Sequence, residues 1–222
     1  MALTALTKTA LRTRTYDAYG EASGGADFTV TFVNTALQEA VQEFALRTDC
    51  VIGSARRSRP DATGGNEALL TVPTGMYRVD KVAHLRYAKA DTAWNIIERT
   101  TERALNLREG PTWIRDSEAT TGTAPEKHRW YTKDSTRIGF YPPDMSATAG
   151  SVLLWGPAVP DLMPATASAC GISAEYAPGV VYIACRKLAE HDADSDAEGK
   201  RAADFEAKAQ GYVNLASVRK VT

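Results

Sequence analysis

The segment Arg137–Pro157 most constrains what this 222-residue chain can fold into. Its sequence, RIGFYPPDMSATAGSVLLWGP, contains two short apolar runs, Ile138–Tyr141 and Val152–Trp155, with a Pro-Pro-Asp exit between them. Runs of this length and composition predict an apolar pair of β-strands. The patterns before about Thr48 and after about Ala177 are helical instead. The sequence therefore predicts a β-rich centre between two helical ends.

The composition excludes several classes of protein. Apolar residues make up 44% and charged residues 24% of the chain, as in ordinary soluble globular proteins. A net charge of −1 argues against a protein whose main task is to coat nucleic acid. The three cysteines show no CxxC spacing, which favours a reducing compartment and thiols that behave as small apolar residues. The N-terminus lacks the apolar region of a signal peptide, and no apolar run is long enough to span a bilayer, so we expect a protein made in a cytoplasm with no membrane contact.

Helical periodicity marks the N-terminal part of the chain. Residues 2–16 have helix-compatible apolar spacing, and Thr-rich composition makes that helix weak. A stronger amphipathic helix follows, with Thr31 available as its N-cap. Its apolar face consists of Val33, Leu37, Ala40, Val41 and Phe44. That face must pack against another element.

The C-terminal part predicts a helical hairpin. An apolar stripe over Val180–Leu188 predicts a helix that ends near His191. Ser195 and Glu198 have the spacing of a capping box, which would start the final helix at Asp196. Two consecutive helices on a short connection form an antiparallel hairpin.

Short strand patterns fill the centre. Val51–Ser58 and Ala68–Val72 flank a loop or hairpin tip, SARRSRPDATGGN, which would make the second run the return strand of the first. Apolar and polar residues alternate over Tyr77–Tyr87, and this phase predicts that His84 faces solvent. Further short elements are predicted as strands at Trp94–Ile97 and His128–Thr132 and a helix at Thr101–Arg108.

The predicted fold is α+β. A helical bundle is formed by the N-terminal helices and the C-terminal helical hairpin, with a central antiparallel β-rich region. We expect a single subunit over residues 1–222, divided into N-terminal helices (1–48), the β-rich region (49–165), the hairpin (176–217) and a tail (218–222).

Motifs for catalysis or metal binding are missing from the sequence. An Asp-rich segment at 192–196 imitates the first ligands of a calcium loop, but alanines occupy its glycine and bidentate-acid positions. No HExxH, paired CxxC, P-loop or GxGxxG occurs. The histidines at 84, 128 and 191 could meet in space, although nothing in their spacing predicts it. A hydrolase site around Glu126 and His128 is the enzymatic alternative; we predict neither an enzyme nor a cofactor nor a metal.

Basic residues cluster near the predicted loop tip and at both ends of the chain. The first group, called here the arginine cluster, consists of Arg56, Arg57 and Arg59. Solvated surface explains such clusters in most proteins, and contact with DNA or an acidic partner is the alternative. The stretch HRWYTK at residues 128–133 combines aromatic and basic residues, for which core packing is favoured over base stacking.

The order of these features resembles the phage head-to-tail connector, or adaptor, proteins that sit beneath the portal. Phe32–Glu39, FVNTALQE, is similar to an amphipathic helix of the family, and Leu70–Val79, LTVPTGMYRV, to a strand entry. Ile138–Pro143, IGFYPP, resembles the family's strand that ends in prolines, and Val152–Trp155 the strand after it. The hairpin with its Asp-rich turn, Leu188–Asp196, completes an order that covers about residues 2–217.

The resemblance implies a structural protein of the virion neck without enzymatic activity or cofactor. Many copies, by resemblance twelve, would form a ring under the portal protein and extend the channel through which DNA passes without sequence recognition. The ring would offer an attachment surface to a tail or stopper protein. We further hypothesise that the C-terminal tail docks on the portal; its residues are Val218, Arg219, Lys220, Val221 and Thr222.

Departures from the family pattern leave the exact neck position open. Val72 replaces the leucine usual before Pro73, and Gly110–Trp113 presents the Trp-x-Gly-Pro block in altered order. A neck stopper and a tail-completion protein therefore stay as alternatives to the adaptor. A DNA-binding accessory protein that uses the arginine cluster is the alternative from a different class.

Overall fold

The structure is a computed structural model, and it describes residues 6–21, 28–60, 62, 65–85, 94–116, 128–143, 150–160, 170–191 and 196–219. The chain divides into two compact units. Unit 1 consists of Met1–Val51 and Ala158–Thr222, and unit 2 of Ile52–Pro157. Helices build unit 1 and a seven-stranded sheet builds unit 2, which confirms the predicted α+β class.

The described residues form five α-helices, seven strands and one 3₁₀ turn. In chain order they are α1 (Lys8–Tyr19), α2 (Val30–Thr48), β1 (Ile52–Ser58), β2 (Ala68–Thr71), β3 (Lys81–Leu85), β4 (Asn95–Thr100), α3 (Glu102–Glu109), the 3₁₀ turn (Trp113–Arg115), β5 (Arg129–Thr132), β6 (Arg137–Tyr141), β7 (Ser151–Pro157), α4 (Ala177–His191) and α5 (Asp196–Arg219).

Unit 1 packs its helices around α4. This helix contacts α1, α2 and α5, and its pairing with α5 is the most extensive in the unit. Leu11, Phe44, Ile183 and Ala209, one from each of the four helices, are fully buried in a single apolar cluster. Burial of these stripes, rather than helix propensity, stabilises helices of this length. The predicted packing of α4 against α5 is present; the Asp-rich turn at 192–195 lies outside the described residues.

Local capping sets where the N-terminal helices begin. The first helix starts at Lys8, because the Thr7 hydroxyl accepts a backbone N–H bond from the first turn. It runs to Tyr19, later than the predicted 2–16. The prediction that Thr31 caps α2 is wrong, because Thr29 has the extended backbone of a cap and accepts the capping bond at 3.3 Å, while Thr31 is already helical.

The last helix ends later than predicted. Capping-box spacing predicts its start at Asp196, where α5 begins. It continues to Arg219, so Val218 and Arg219 belong to the helix and not to a separate tail. No glycine or proline follows Ser217 to end the helix, and the residues there are compatible with a helix.

Unit 2 is a curled mixed sheet with the strand order β1-β7-β3-β4-β5-β6-β2. All neighbouring strands are antiparallel except β4 and β5, which are parallel. The predicted hairpin of β1 with β2 is wrong: these strands lie at opposite edges of the sheet. Turn residues between two strands suit any reversal of the chain, and pairing depends on partners far away in sequence.

The two runs in Arg137–Pro157 form strands β6 and β7, as predicted, but they are not neighbours. Strand β6 lies between β5 and β2, and β7 lies between β1 and β3. Each is therefore flanked on both sides, which explains why both are so apolar. Their buried side chains, among them Phe140 and Leu154, enter one core cluster with Trp130.

Two glycines allow close approaches inside the sheet. At Gly139 a Cβ atom would lie 2.1 Å from the Tyr131 ring, and at Gly156 it would lie 2.0 Å from the carbonyl oxygen of Arg78. Real Cβ contacts are never this short, so any side chain here displaces its neighbour. These contacts fix the cross-strand packing of β5 on β6 and of the chain before β3 on β7.

The predicted long strand over Tyr77–Tyr87 is shorter in the structure. Only β3 is regular, because Tyr77 and Asp80 donate single hydrogen bonds to Pro157 and Trp155 in an irregular pattern. Residues 86–93 lie outside the described part of the chain.

Candidate functional site

The C-terminal surface is the first predicted site. Val218 is 66% exposed at the end of α5, and the last buried residue of that helix is Ala216. Of the other predicted docking residues, Arg219 is placed by its helical backbone, and Lys220, Val221 and Thr222 lie outside the described residues. Because nothing beyond Ala216 is buried among the described residues, the end of α5 does not contribute to the core of unit 1.

The three residues of the arginine cluster differ in their exposure to solvent. Arg56 and Arg57 are exposed on the edge strand β1. Arg59 is 2% exposed: its guanidinium donates to the Pro142 carbonyl oxygen and lies 5.3 Å above the Phe140 ring. The prediction of three exposed arginines at a loop tip is therefore wrong for Arg59, since its guanidinium is buried against a carbonyl oxygen and an aromatic face within unit 2.

Two of the three histidines, His84 and His128, are in contact. The Nδ1 atoms of His84 and His128 lie 3.1 Å apart, and the two residues are 3% and 2% exposed. The prediction that His84 faces solvent is wrong, because His84 shares the core face of β3 with Val82. His191 belongs to unit 1, where its ring packs at 4.4 Å from that of Phe32.

The structure brings no metal-binding or nucleophilic cluster together among the residues it describes. No group of three or more His, Cys, Asp and Glu side chains there could hold a metal ion. All three cysteines are free thiols. Burial raises the pKa of the Cys185 thiol to about 12 and also raises that of Cys170. Such thiols stay protonated and unreactive near neutral pH.

The residues named for the hydrolase alternative are only partly described. His128 contacts His84, and Glu126 lies outside the described residues. Asp134, which lines a depression of the sheet surface together with Val72, accepts bonds from Arg137 and Thr136, which lower its pKa to about 2. A carboxylate held in its charged form so strongly is a poor proton acceptor.

The aromatic stretch at 128–133 belongs to the core. Trp130 and Tyr131 are 1% and 0% exposed, and Trp113 packs edge-on against Tyr131 at 5.5 Å. The prediction of core packing, in preference to a base-stacking platform, is therefore confirmed for these aromatic residues.

An ion network joins three helices of unit 1. Arg186 of α4 donates from Nη2 to both carboxylate oxygens of Glu43, at 3.0 and 2.8 Å, and from Nη1 to Glu206 at 2.8 Å. Arg47 of α2 binds the same two carboxylates, each at 2.6 Å. Its hydrogen bond with Glu206 raises the pKa of Arg47. The network fixes α2, α4 and α5 relative to one another, and the sequence did not predict it, because isolated helices do not show which charged faces meet.

None of the described helices is both long and apolar enough to cross a membrane.

A family model described as SU10 adaptor protein matches residues 1–221, which includes both units. A search of curated proteins finds no match. The family is one of phage head-to-tail adaptors, structural proteins of the virion neck that associate with portal and tail components. The resemblance derived from the order of helices and strands is thereby confirmed. The chain belongs to the SU10 adaptor protein family.

Proposed function

We propose that this protein forms a closed ring beneath the portal, extends the DNA channel and provides the surface to which the tail attaches. The observation that carries the proposal is the family match, which extends over nearly the whole chain and both units. By resemblance the ring has twelve copies and assembles in the host cytoplasm. A stopper or tail-completion protein would attach to the adaptor rather than to the portal, and that difference can be tested.

Exposed apolar side chains support contacts between copies. Unit 1 exposes Val30 and Leu46 on α2 and Leu215 and Val218 on α5, with exposed fractions between 41% and 66%. A ring needs two different surfaces on each subunit that meet head to tail and close by rotation. Apolar side chains on two different helices can form parts of such contacts, because their burial between copies is favourable.

The end of the chain is proposed to dock on the portal. Val218 is well exposed, and Arg219 and Lys220 add positive charge to an end that the core of unit 1 does not use. Ordering a few residues on a partner costs conformational entropy. Many identical copies engaged at once offset this cost, since each further contact forms within an already joined assembly.

Two truncations test the docking proposal. Deletion of residues 218–222 is expected to abolish binding to the purified portal protein, while deletion of 220–222 keeps the described helix α5 whole and shows whether the last three residues are necessary for docking. Both variants should keep the far-UV circular dichroism of the full chain, because no described residue after Ala216 is buried. Portal binding at the full-length level by the 218–222 deletion would contradict the docking role.

Contact with the passing DNA is proposed for Arg56 and Arg57, which are exposed on β1. Phosphate contacts of this kind carry no sequence information and weaken as salt increases. The burial of Arg59 leaves two exposed cations in place of three, which weakens the alternative of a DNA-binding accessory protein. Tight, steeply salt-dependent DNA binding by the isolated protein would favour that alternative instead.

A further inference from the structure

Strand β4 changes partner halfway along its length. Its first three residues pair with β3, and its last three, from Glu98, pair with β5. The two parts of the sheet, β1-β7-β3 and β5-β6-β2, are thus joined through β4 by three described residue pairs on each side. Within the described strands, backbone pairing alone therefore gives the sheet few connections where β4 changes partner.

The two buried histidines lie beside this point. His84 and Asn95 form the last described pair of the β3–β4 ladder, and His128 directly precedes Arg129, which forms the first described pair of the β4–β5 ladder with Glu98. Their 3.1 Å Nδ1–Nδ1 contact links the chain of β3 to the chain of β5 past the intervening strand. It is a side-chain connection between two strands that are not neighbours in the sheet.

The contact requires hydrogen on one of the two Nδ1 atoms and not on both. A bond between two ring nitrogens requires that one Nδ1 carries hydrogen and donates while the other presents its lone pair. A first additional proton can bind to the far nitrogen of the donor ring and leaves the bond in place. A second places hydrogen on both Nδ1 atoms, which removes the acceptor and leaves two imidazolium charges about 3 Å apart in a buried site.

We propose that His84 and His128 form an acid-sensitive latch that closes unit 2 across β4 and opens when both rings are protonated. The inference rests on the strand pairing and the histidine geometry and does not depend on the proposed role in the phage neck.

The charged neighbours among the described residues do not favour a second proton. The described adjoining strands bring Arg56 and Arg57 of β1 and Arg129 of β5, against Glu98 of β4 as the acid. Glu98 is 65% exposed and already paired with Arg129 at 2.9 Å. From β7 comes the neutral Ser151, 3.4 Å from Arg56, and from β6 comes Tyr141, which donates to Asp116. Burial raises the pKa of Tyr141, so this side chain stays neutral throughout the acid range.

The direction of the pH effect follows from counting protons. A histidine in an unfolded chain has a pKa of about 6.5. At low pH the unfolded pair therefore binds two protons beyond those of the neutral rings, whereas the closed latch accommodates only one. Stability from the latch is therefore complete above about pH 6.5 and is lost as the pH falls below that value. Exclusion of one proton raises the unfolding equilibrium constant about 25-fold between pH 7 and pH 5.

The test compares the full chain with a variant that keeps the shape of the contact without its titration. In the double variant His84→Asn/His128→Asn, the amide groups occupy the positions of the Nδ1 atoms and can bond to each other at any pH. All four tryptophans lie in unit 2, so urea unfolding followed by tryptophan fluorescence reports on that unit. His191→Asn in unit 1 is the matched control.

Two measurements test the proposal. From pH 7 to pH 5, the unfolding equilibrium constant of unit 2 should rise about 25-fold more in the full chain and in the His191→Asn control than in the double variant. Hydrogen exchange, corrected for intrinsic rates, should show that peptides from β3 and β5 lose protection at pH 5 more than those from α4. Equal pH dependence in the double variant, within threefold, would overturn the proposal.

A measurement on the natural chain covers the case in which the double variant does not fold. Long-range ¹H–¹⁵N spectra of the histidine rings at pH 7.5 should show one of the two buried rings protonated at Nδ1 and the other at Nε2. Two rings with the same Nε2–H tautomer, or two independent titrations with ordinary profiles, would overturn the latch.

Discussion

Replacement of Arg186 by methionine tests how the helices of unit 1 are held together. Methionine keeps the aliphatic bulk of the side chain and removes its charge, so Glu43 and Glu206 lose their shared cation. Arg47 still binds both carboxylates, so neither becomes an isolated charge. The substitution therefore measures the link from α4 to α2 and α5, and we expect it to destabilise unit 1.

The expected size follows from exposure. The side chains of Arg186, Glu43 and Glu206 are 15%, 22% and 34% exposed, between a buried pair and a surface pair. Hydrogen bonds to charged groups contribute about 1.5–3 kcal/mol when buried, and surface ion pairs about 0–1 kcal/mol. With two carboxylates and the compensation from Arg47, we expect a loss of about 2 kcal/mol. At an m-value of about 2 kcal/mol/M, the urea midpoint falls by about 1 M.

Far-UV circular dichroism is the suitable assay, because helices dominate unit 1. The control is Glu190→Gln, since Glu190 is 54% exposed and lies 3.4 Å from Arg186. This substitution should cost less than about 0.5 kcal/mol.

The pKa of Glu206 gives the network a pH dependence. Burial raises this pKa, but the hydrogen bond and charge of Arg47, together with Arg186, outweigh burial, so that the pKa of Glu206 is lowered overall.

Because the folded pKa of Glu206 is depressed, its contribution is present above the unfolded value of about 4.3 and is lost as the pH falls through the folded value. The difference between the natural chain and Arg186→Met should accordingly be largest near pH 7 and shrink below about pH 4. A difference no larger than that of the control, or one that stays constant down to pH 3, would refute this account of the network.

Further predictions concern packing and reactivity. Gly139→Ala places a Cβ atom 2.1 Å from the Tyr131 ring and should destabilise unit 2 by about 2–3 kcal/mol in fluorescence-detected unfolding, whereas Gly211→Ala, with no atom within 4 Å, should stabilise α5 by about 0.5–1 kcal/mol. Equal effects of the two substitutions would contradict the packing of β5 on β6. At pH 8 the half-buried Cys50 should react with a thiol reagent before Cys185, whose pKa is raised to about 12 by burial; fast labelling of Cys185 in the folded protein would contradict its burial.

Local sequence chemistry predicted the elements better than their partners. The apolar runs that became β6 and β7 were identified because a strand flanked on both sides has few polar positions. The pairing of β1 with β7 instead of β2 could not be predicted, since it joins segments about a hundred residues apart by backbone bonds that any residue can make. Turn residues after β1 indicated a reversal without indicating the strand that follows.

The candidate sites show the same limit. His84 was placed on the wrong face because Ala83 and Leu85 suggested the opposite alternation, and Ala83 is in fact buried as well. Contact between His84 and His128 depends on the register of three strands, and no local pattern contains that information. The sequence around Arg59 is typical of a solvated loop. Its burial depends on Pro142 and Phe140, which are distant in sequence and contact its guanidinium only in the folded unit.

Electron microscopy of the purified protein, alone and mixed with its cognate portal, tests the central claim most directly. The adaptor account predicts rings or caps seated on the tail-side face of the portal, with the same result for chains that carry the histidine substitutions at pH 7. Particles that stay monomeric and show no affinity for the portal would contradict it.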